Sequence, residues 1–115
     1  MDLKEFYTLT GGDYEGTMAR LITEARVKKF AHKFKDDISF SQLCSAVEEG
    51  DVKSAFMAAH TLKGVSQNLG FEPLYRAAAA VTEITRSGSL ELGSLMDELK
   101  IHYATIIDAL ATLEE

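Results

Sequence analysis

The sequence predicts an all-α protein, an antiparallel four-helix bundle with short additional N-terminal helices. Apolar residues recur at three- and four-residue spacing along nearly the whole chain, the period of a single buried helix face, and no strand-like alternation of useful length occurs. Turn signals at Gly11-Gly12, Gly50, Gly70 and Ser87-Gly88-Ser89 cut that pattern into segments with short connections. One proline, no tryptophan and a composition rich in Ala, Leu, Glu and Lys favour helix over sheet. Amphipathic helices joined by short links pack as antiparallel neighbours.

Taken in order, Leu3, Phe6, Tyr7 and Leu9 form a short helical segment that Gly11-Gly12 ends. Asp13 caps a second segment carrying Met18, Leu21, Ile22 and Ala25 on one side. Val27, Phe30, Phe34 and Ile38 then form an apolar stripe on nearly the opposite side of a continuous helix, at about 100° per residue. One straight helix cannot bury both stripes, so a break is expected near Ile22-Thr23, with Thr23 capping a new helix to about Lys35. Ser39-Phe40-Ser41-Gln42 matches a capping box ahead of Phe40, Leu43, Ala46 and Val47. Gly50 stops that helix and Asp51 caps the next, Val52 to Leu69, whose inner face is Val52, Ala55, Ala59, Leu62, Ser66 and Leu69. Gly70 ends it. Pro73 suits the first turn of a helix with Leu74, Ala77, Ala78, Val81 and Ile84 inward. The last stripe, Leu92, Leu95, Leu99, His102, Ile106, Ala109 and Leu113, is widened by Met96, Tyr103 and Leu110.

At 115 residues the chain is expected to form one domain, 1–115, long enough for a core without metal or disulfide staples. A net charge of −6 argues against nucleic acid or an anionic membrane as partner, since both need a basic footprint. No stretch approaches the roughly 18 apolar residues of a membrane span, and the N-terminus lacks the apolar core of a signal peptide. A single cysteine, Cys44, reads as a small buried hydrophobe and fits a reducing, cytoplasmic location.

The chemistry converges on one stretch, Ala58-Ala59-His60-Thr61-Leu62-Lys63-Gly64-Val65-Ser66-Gln67-Asn68-Leu69-Gly70. On the helical wheel His60 falls about 120° from the centre of the apolar face, on the rim or in solvent. Lys63 and Gly64, at i+3 and i+4, share its face one turn on, and Gln67 follows one turn later. An imidazole of ordinary pKa, about 6.5, is largely neutral at pH 7 and nucleophilic. A neighbouring ammonium steadies the oxygens of a transferring phosphoryl group. A helix-interior glycine costs about 1 kcal/mol against alanine, and its missing side chain admits another surface close to the imidazole. Phosphoryl transfer is the chemistry these three residues suggest.

The longer pattern Asp51-x-x-x-Ala55-Phe56-x-x-Ala59-His60-Thr61-Leu62-Lys63-Gly64-x-Ser66-x-x-Leu69-Gly70 closely resembles the histidine-containing phosphotransfer (HPt) domains of two-component phosphorelays. Leu-Lys-Glu-Phe-Tyr and Gly-Gly-Asp-Tyr-Glu near the N-terminus look like small free-standing members, so the resemblance covers most of the chain. It implies a four-helix bundle with an exposed phosphoacceptor, His60, phosphorylated on Nε2. Lys63 corresponds to the family's lysine and Gly64 to its glycine. The implied partners are response-regulator receiver domains and an upstream histidine kinase, with no nucleic acid, membrane or small-molecule substrate. The implied protein is a transfer intermediate with no kinase domain of its own. It would hold no cofactor or metal, the divalent ion residing on the receiver. One departure stands out. Many members place a supporting glutamine on the following helix, and the matching position here is Thr82, with Arg86 one turn on; Thr82 itself, Gln67 and Arg86 are the candidates for the supporting role.

Other features have plainer readings. His32, in a lysine-rich helix, is expected in solvent, and His102 at a core boundary; neither spacing nor neighbours make a metal motif. Met18 and Met96 read as packing, whereas Met57 falls on the His60 side as a candidate docking patch. Lys28, Lys29, Lys33 and Lys35 read as a solvated face. The competing function is an adaptor bundle that binds a receiver or other partner without transferring anything.

Overall fold

Seven α-helices and no strand make up the computed structural model, which describes residues 1–115: α1 (Leu3–Thr10), α2 (Tyr14–Leu21), α3 (Glu24–Lys33), α4 (Ser39–Glu49), α5 (Val52–Asn68), α6 (Glu72–Arg86) and α7 (Leu95–Leu110). The bundle is built by α4 on α5, α5 on α6 and α6 on α7, while α1 lies on α7 and α2 joins it to α3. The α5–α6 contact is the most extensive. Ala55, Ala58 and Ala59 of α5 and Ala77 and Ala78 of α6 are buried, and such small side chains let two helices approach closely. Leu43, Leu62, Leu74, Val81, Leu99 and Ile106 fill the space between the four long helices.

The helix ends follow local chemistry. Thr23 accepts a hydrogen bond from the Arg26 N–H, so the expected break before α3 is real. Leu21 C=O also accepts from Thr23 N–H across Ile22, whose φ of 77° and ψ of −46° close a tight γ-turn. Asp51 accepts from Ser54 N–H at the start of α5, and Gly50 stops α4 in the left-handed conformation. The expected capping box at Ser39 does not form. Asp37 accepts from both the N–H and the hydroxyl of Ser39, and Ser39 itself is buried.

Several expected core positions lie elsewhere. Helix α3 stops at Lys33 and tightens into a 3₁₀ turn at Phe34–Asp36, which breaks the register, so that Phe34 stays buried but Ile38 is 62% exposed. Phe30, within α3, is exposed as well. Ile22 and Ala25 also face solvent, leaving Thr17 as the buried residue of α2. In α1, Leu9 stands about 240° from Leu3 and is exposed, while Thr10 completes the Leu3–Phe6–Tyr7 face. Leu92 and Leu113 are buried as expected, but from the segments flanking α7.

The N-terminal helices grip the far end of α5. Phe6–Tyr7, Phe6–Phe71 and Phe34–Phe71 pack edge-to-face with centroid separations of 5.2–5.9 Å, and Tyr7 lies tilted against Phe71 at 6.2 Å. The Tyr7 hydroxyl donates to the Leu69 carbonyl at 2.6 Å, and Asp13 N–H donates to the Gly70 carbonyl at 2.8 Å. Gly70 must be glycine: its φ is 69°, and a Cβ there would lie 2.7 Å from the Asp13 carbonyl oxygen. Arg20 adds a guanidinium at the α5 C-terminus, donating to the Gln67 and Asn68 carbonyls, where a cation meets the negative end of the helix dipole.

Candidate functional site

Helix α5 presents two faces with different duties. Ala55, Ala59, Leu62 and Ser66 are wholly buried, so residues on the opposite side of the helix are forced toward the surface. His60 is exposed, as the wheel predicts, and neither ring nitrogen hydrogen-bonds to another residue of the chain. Thr61 is exposed beside it, its hydroxyl donating back to the Met57 carbonyl at 3.0 Å. Met57 is 65% exposed on the preceding turn, an apolar side chain left in solvent next to the imidazole.

Lys63 is half-buried and forms no ion pair, so its ammonium stays available on the histidine's side of α5. Gly64 is exposed, and a Cβ built on it would meet nothing within 4 Å. The packing of the chain therefore gives no reason for glycine at this helix-interior position. Any steric demand there must come from outside the molecule.

The three candidates for a supporting role end up in different places. Thr82 is wholly buried, and its hydroxyl donates to the Ala78 carbonyl at 2.7 Å. Buried hydroxyls of Ser66 and Thr85 do the same one turn back, at 2.7 and 2.8 Å, the ordinary way a helix satisfies an inward threonine or serine. Thr82 thus offers no free donor at the surface that carries His60. Gln67 is exposed but stands seven residues on, about 10.5 Å along the axis, at the end of α5 that Arg20 caps. Arg86 is exposed at the end of α6, with its guanidinium nitrogen 3.5 Å from Glu83 and its guanidinium carbon 5.0 Å from the centroid of the Phe56 ring. Phe56 in turn lies nearly parallel to the His60 ring, at 5.9 Å between centroids and 13° between planes. The structure therefore brings His60, Lys63, Gly64 and Met57 to one surface and joins Arg86 to it through Phe56.

Phe56 carries the sequence signal of an i, i+4 aromatic pair with His60, readable from spacing alone, although within the motif its spacing to His60 is not distinguished from that of a core residue. Arg20, which steadies the end of the helix, acts from 47 residues away and leaves no local signal. The other histidines are unlike His60. His102 is half-buried at the α6–α7 boundary, as expected. His32 is not solvated: the tail after α7 folds over α3, placing Nε2 3.3 Å from the Glu114 carbonyl and enclosing Nδ1 without a partner, while Lys28 pairs with Glu114 at 3.0 Å. Cys44 is half-buried, and partial burial pushes its thiol pKa up, away from reactivity.

Chemically, the surface offers an unencumbered imidazole, one cation a turn away, a gap in side-chain cover and an apolar rim. No carboxylate touches the imidazole, so nothing here is placed to activate water beside it. No helix is long and apolar enough to cross a membrane. The family model described as Hpt domain matches residues 21–113. No curated protein and no solved structure matches the chain.

Proposed function

The chain belongs to the Hpt domain family, and from that premise we propose that it is a phosphorelay carrier that takes a phosphoryl group onto His60 and hands it on to a receiver domain. The donor is the phosphoaspartate of a response-regulator receiver or a histidine kinase, and the acceptor is the aspartate of another receiver. The observation that carries this reading is the pairing of an exposed, unbonded His60 with a Gly64 whose own chain leaves the space beside it empty.

In the proposed step the lone pair of His60 Nε2 attacks the phosphorus of the acyl phosphate. The N–P bond forms as the P–O bond to the aspartate breaks, and the carboxylate leaves with the electron pair. The ring keeps its hydrogen on Nδ1, for which the chain itself provides no acceptor. Lys63 screens the charge of the phosphoryl oxygens in passage, where an ordered cation is worth most. Gly64 and Met57 receive the receiver's surface, Gly64 by its missing side chain and Met57 by its exposed thioether. A phosphoramidate is close in energy to an acyl phosphate, so the transfer runs in either direction. The divalent ion belongs to the receiver, and the carrier needs none of its own.

Incubation with a radiolabelled phospho-receiver tests the reading. Acid-labile label on the wild-type chain and none on His60→Gln is the expected result. Label retained on His60→Gln overturns the assignment of His60, and tight receiver binding with no transfer to the wild type favours the adaptor reading.

A further inference from the structure

A reactive imidazole usually has its ring plane fixed by a hydrogen bond from the nitrogen that does not react. His60 has no such bond, and the position where an amide was expected to supply one, Thr82, is buried with its hydroxyl engaged elsewhere. What faces the imidazole instead is an aromatic ring. Phe56, one turn earlier on α5, lies within 13° of parallel to it at 5.9 Å, the range of offset stacking.

We propose that Phe56 is a positioning residue for His60, an aromatic plate that takes the place of the orienting hydrogen bond. The plate is itself anchored. Phe56 is half-buried and shares a surface recess with Val52 of its own helix and with Thr85 and Arg86 of α6, and the Arg86 guanidinium sits 5.0 Å from its centroid, where a cation is drawn to the ring face. Thus α6 holds the guanidinium, the guanidinium holds the phenyl ring and the phenyl ring holds the imidazole. An exposed histidine samples several side-chain rotamers, and only those that aim Nε2 outward along the line of attack are productive. Stacking against a fixed ring concentrates the population there, which is how positioning residues raise a rate without touching the reacting atoms. The rate effect of this role rests on the carrier reading above; the geometry does not.

The test uses the whole chain with Phe56→Leu, which keeps an apolar side chain but removes the ring, and Phe56→Tyr, which keeps the ring. Histidine ring-proton resonances of the unphosphorylated proteins report the stack, and potassium phosphoramidate as a small phosphodonor reports acceptance by His60 without a receiver. In wild type and Phe56→Tyr the His60 resonances are expected to be displaced by the neighbouring ring, and in Phe56→Leu to return to those of a free exposed histidine. Phosphorylation of Phe56→Leu is expected to slow by about threefold to tenfold, the fold-change equivalent of one aromatic pair, with Phe56→Tyr within about twofold of wild type. Unchanged helicity in both variants excludes loss of the fold as the cause. His60 resonances that are the same in all three proteins, or a Phe56→Leu rate equal to wild type, overturn the proposal. A wild-type chain that accepts no phosphoryl group from phosphoramidate and none from a phospho-receiver refutes the carrier reading, and the resonances then still decide whether the plate exists.

Discussion

Substituting Gly64 sets stability and transfer in opposite directions, which separates a demand of the fold from a demand of a partner. Gly64 lies inside α5, is exposed, and has open space where a side chain would begin. Alanine in an exposed helix interior is favoured over glycine by about 0.8–1.0 kcal/mol, so Gly64→Ala should be more stable by about that amount. With an unfolding entropy near 2.1 cal/mol/K per residue, 115 residues give about 0.24 kcal/mol/K, and Tm should rise by about 4 °C. Transfer should fall even so. A partner seated against a bare backbone is pushed away by a methyl group, and a misplacement of about 1 Å at the reacting atoms costs on the order of a hundredfold. We expect about tenfold slower single-turnover transfer from a phospho-receiver for Gly64→Ala, and a larger loss for Gly64→Gln, with helicity unchanged in both. Thermal melts and transfer kinetics on the same preparations read both effects. A melting temperature that falls contradicts the open space at Gly64. Transfer at wild-type rate in Gly64→Gln refutes the argument that a partner needs this gap.

Two further substitutions test how the site is held. Burial pushes the Tyr7 phenol up to about 12, from an unfolded value near 10. The folded chain keeps a proton that the unfolded chain releases, so this contribution is whole below pH 10 and is lost as pH rises through 12. Wild type should therefore lose about 2 kcal/mol more stability than Tyr7→Phe between pH 10 and 12 in denaturant titrations. At neutral pH Tyr7→Phe should be less stable by about 1–2 kcal/mol, because the Leu69 carbonyl loses its buried donor; identical pH slopes for the two proteins would remove Tyr7 from this role. Ile22 is the only non-glycine residue at positive φ, a β-branched side chain in a conformation that costs about 1–3 kcal/mol. After the added freedom of an unfolded glycine is subtracted, Ile22→Gly should stabilise the chain by about 1 kcal/mol, and a lower denaturation midpoint would show that the γ-turn is not strained.

The parts of the fold that were legible in the sequence are those set by neighbours along the chain. The break at Thr23, the stop at Gly50 and the start at Asp51 each depend on one side chain bonding to a backbone group three residues on, or on one glycine. The inward face of α5 follows from helical period alone, and with it the exposure of His60. The misreadings share a cause. The spacing at Ser39 suits a cap although the acceptor is Asp37, two residues earlier, since both residue types cap helices and only the path of the entering chain decides between them. Ile38 joins the stripe of Val27 and Phe34 only if the helix continues, and it tightens after Lys33. His32 looked solvated because nothing near it in sequence announces a tail from the other end of the chain.

By itself, then, the sequence determined an all-helical bundle and the histidine on its surface, with Lys63 and Gly64 one turn away, because these follow from a 1.5 Å rise and 100° turn that any helix imposes. Tertiary structure decided what surrounds them. Thr82 turned inward because it shares the buried face of α6 with Ala78, Val81 and Thr85, which takes its hydroxyl away from the surface that carries His60. Arg86 came to the same surface because α6 ends beside the start of α5, where the Phe56 ring receives its charge. Contacts between helices depend on which faces meet, and one-dimensional spacing carries no record of that.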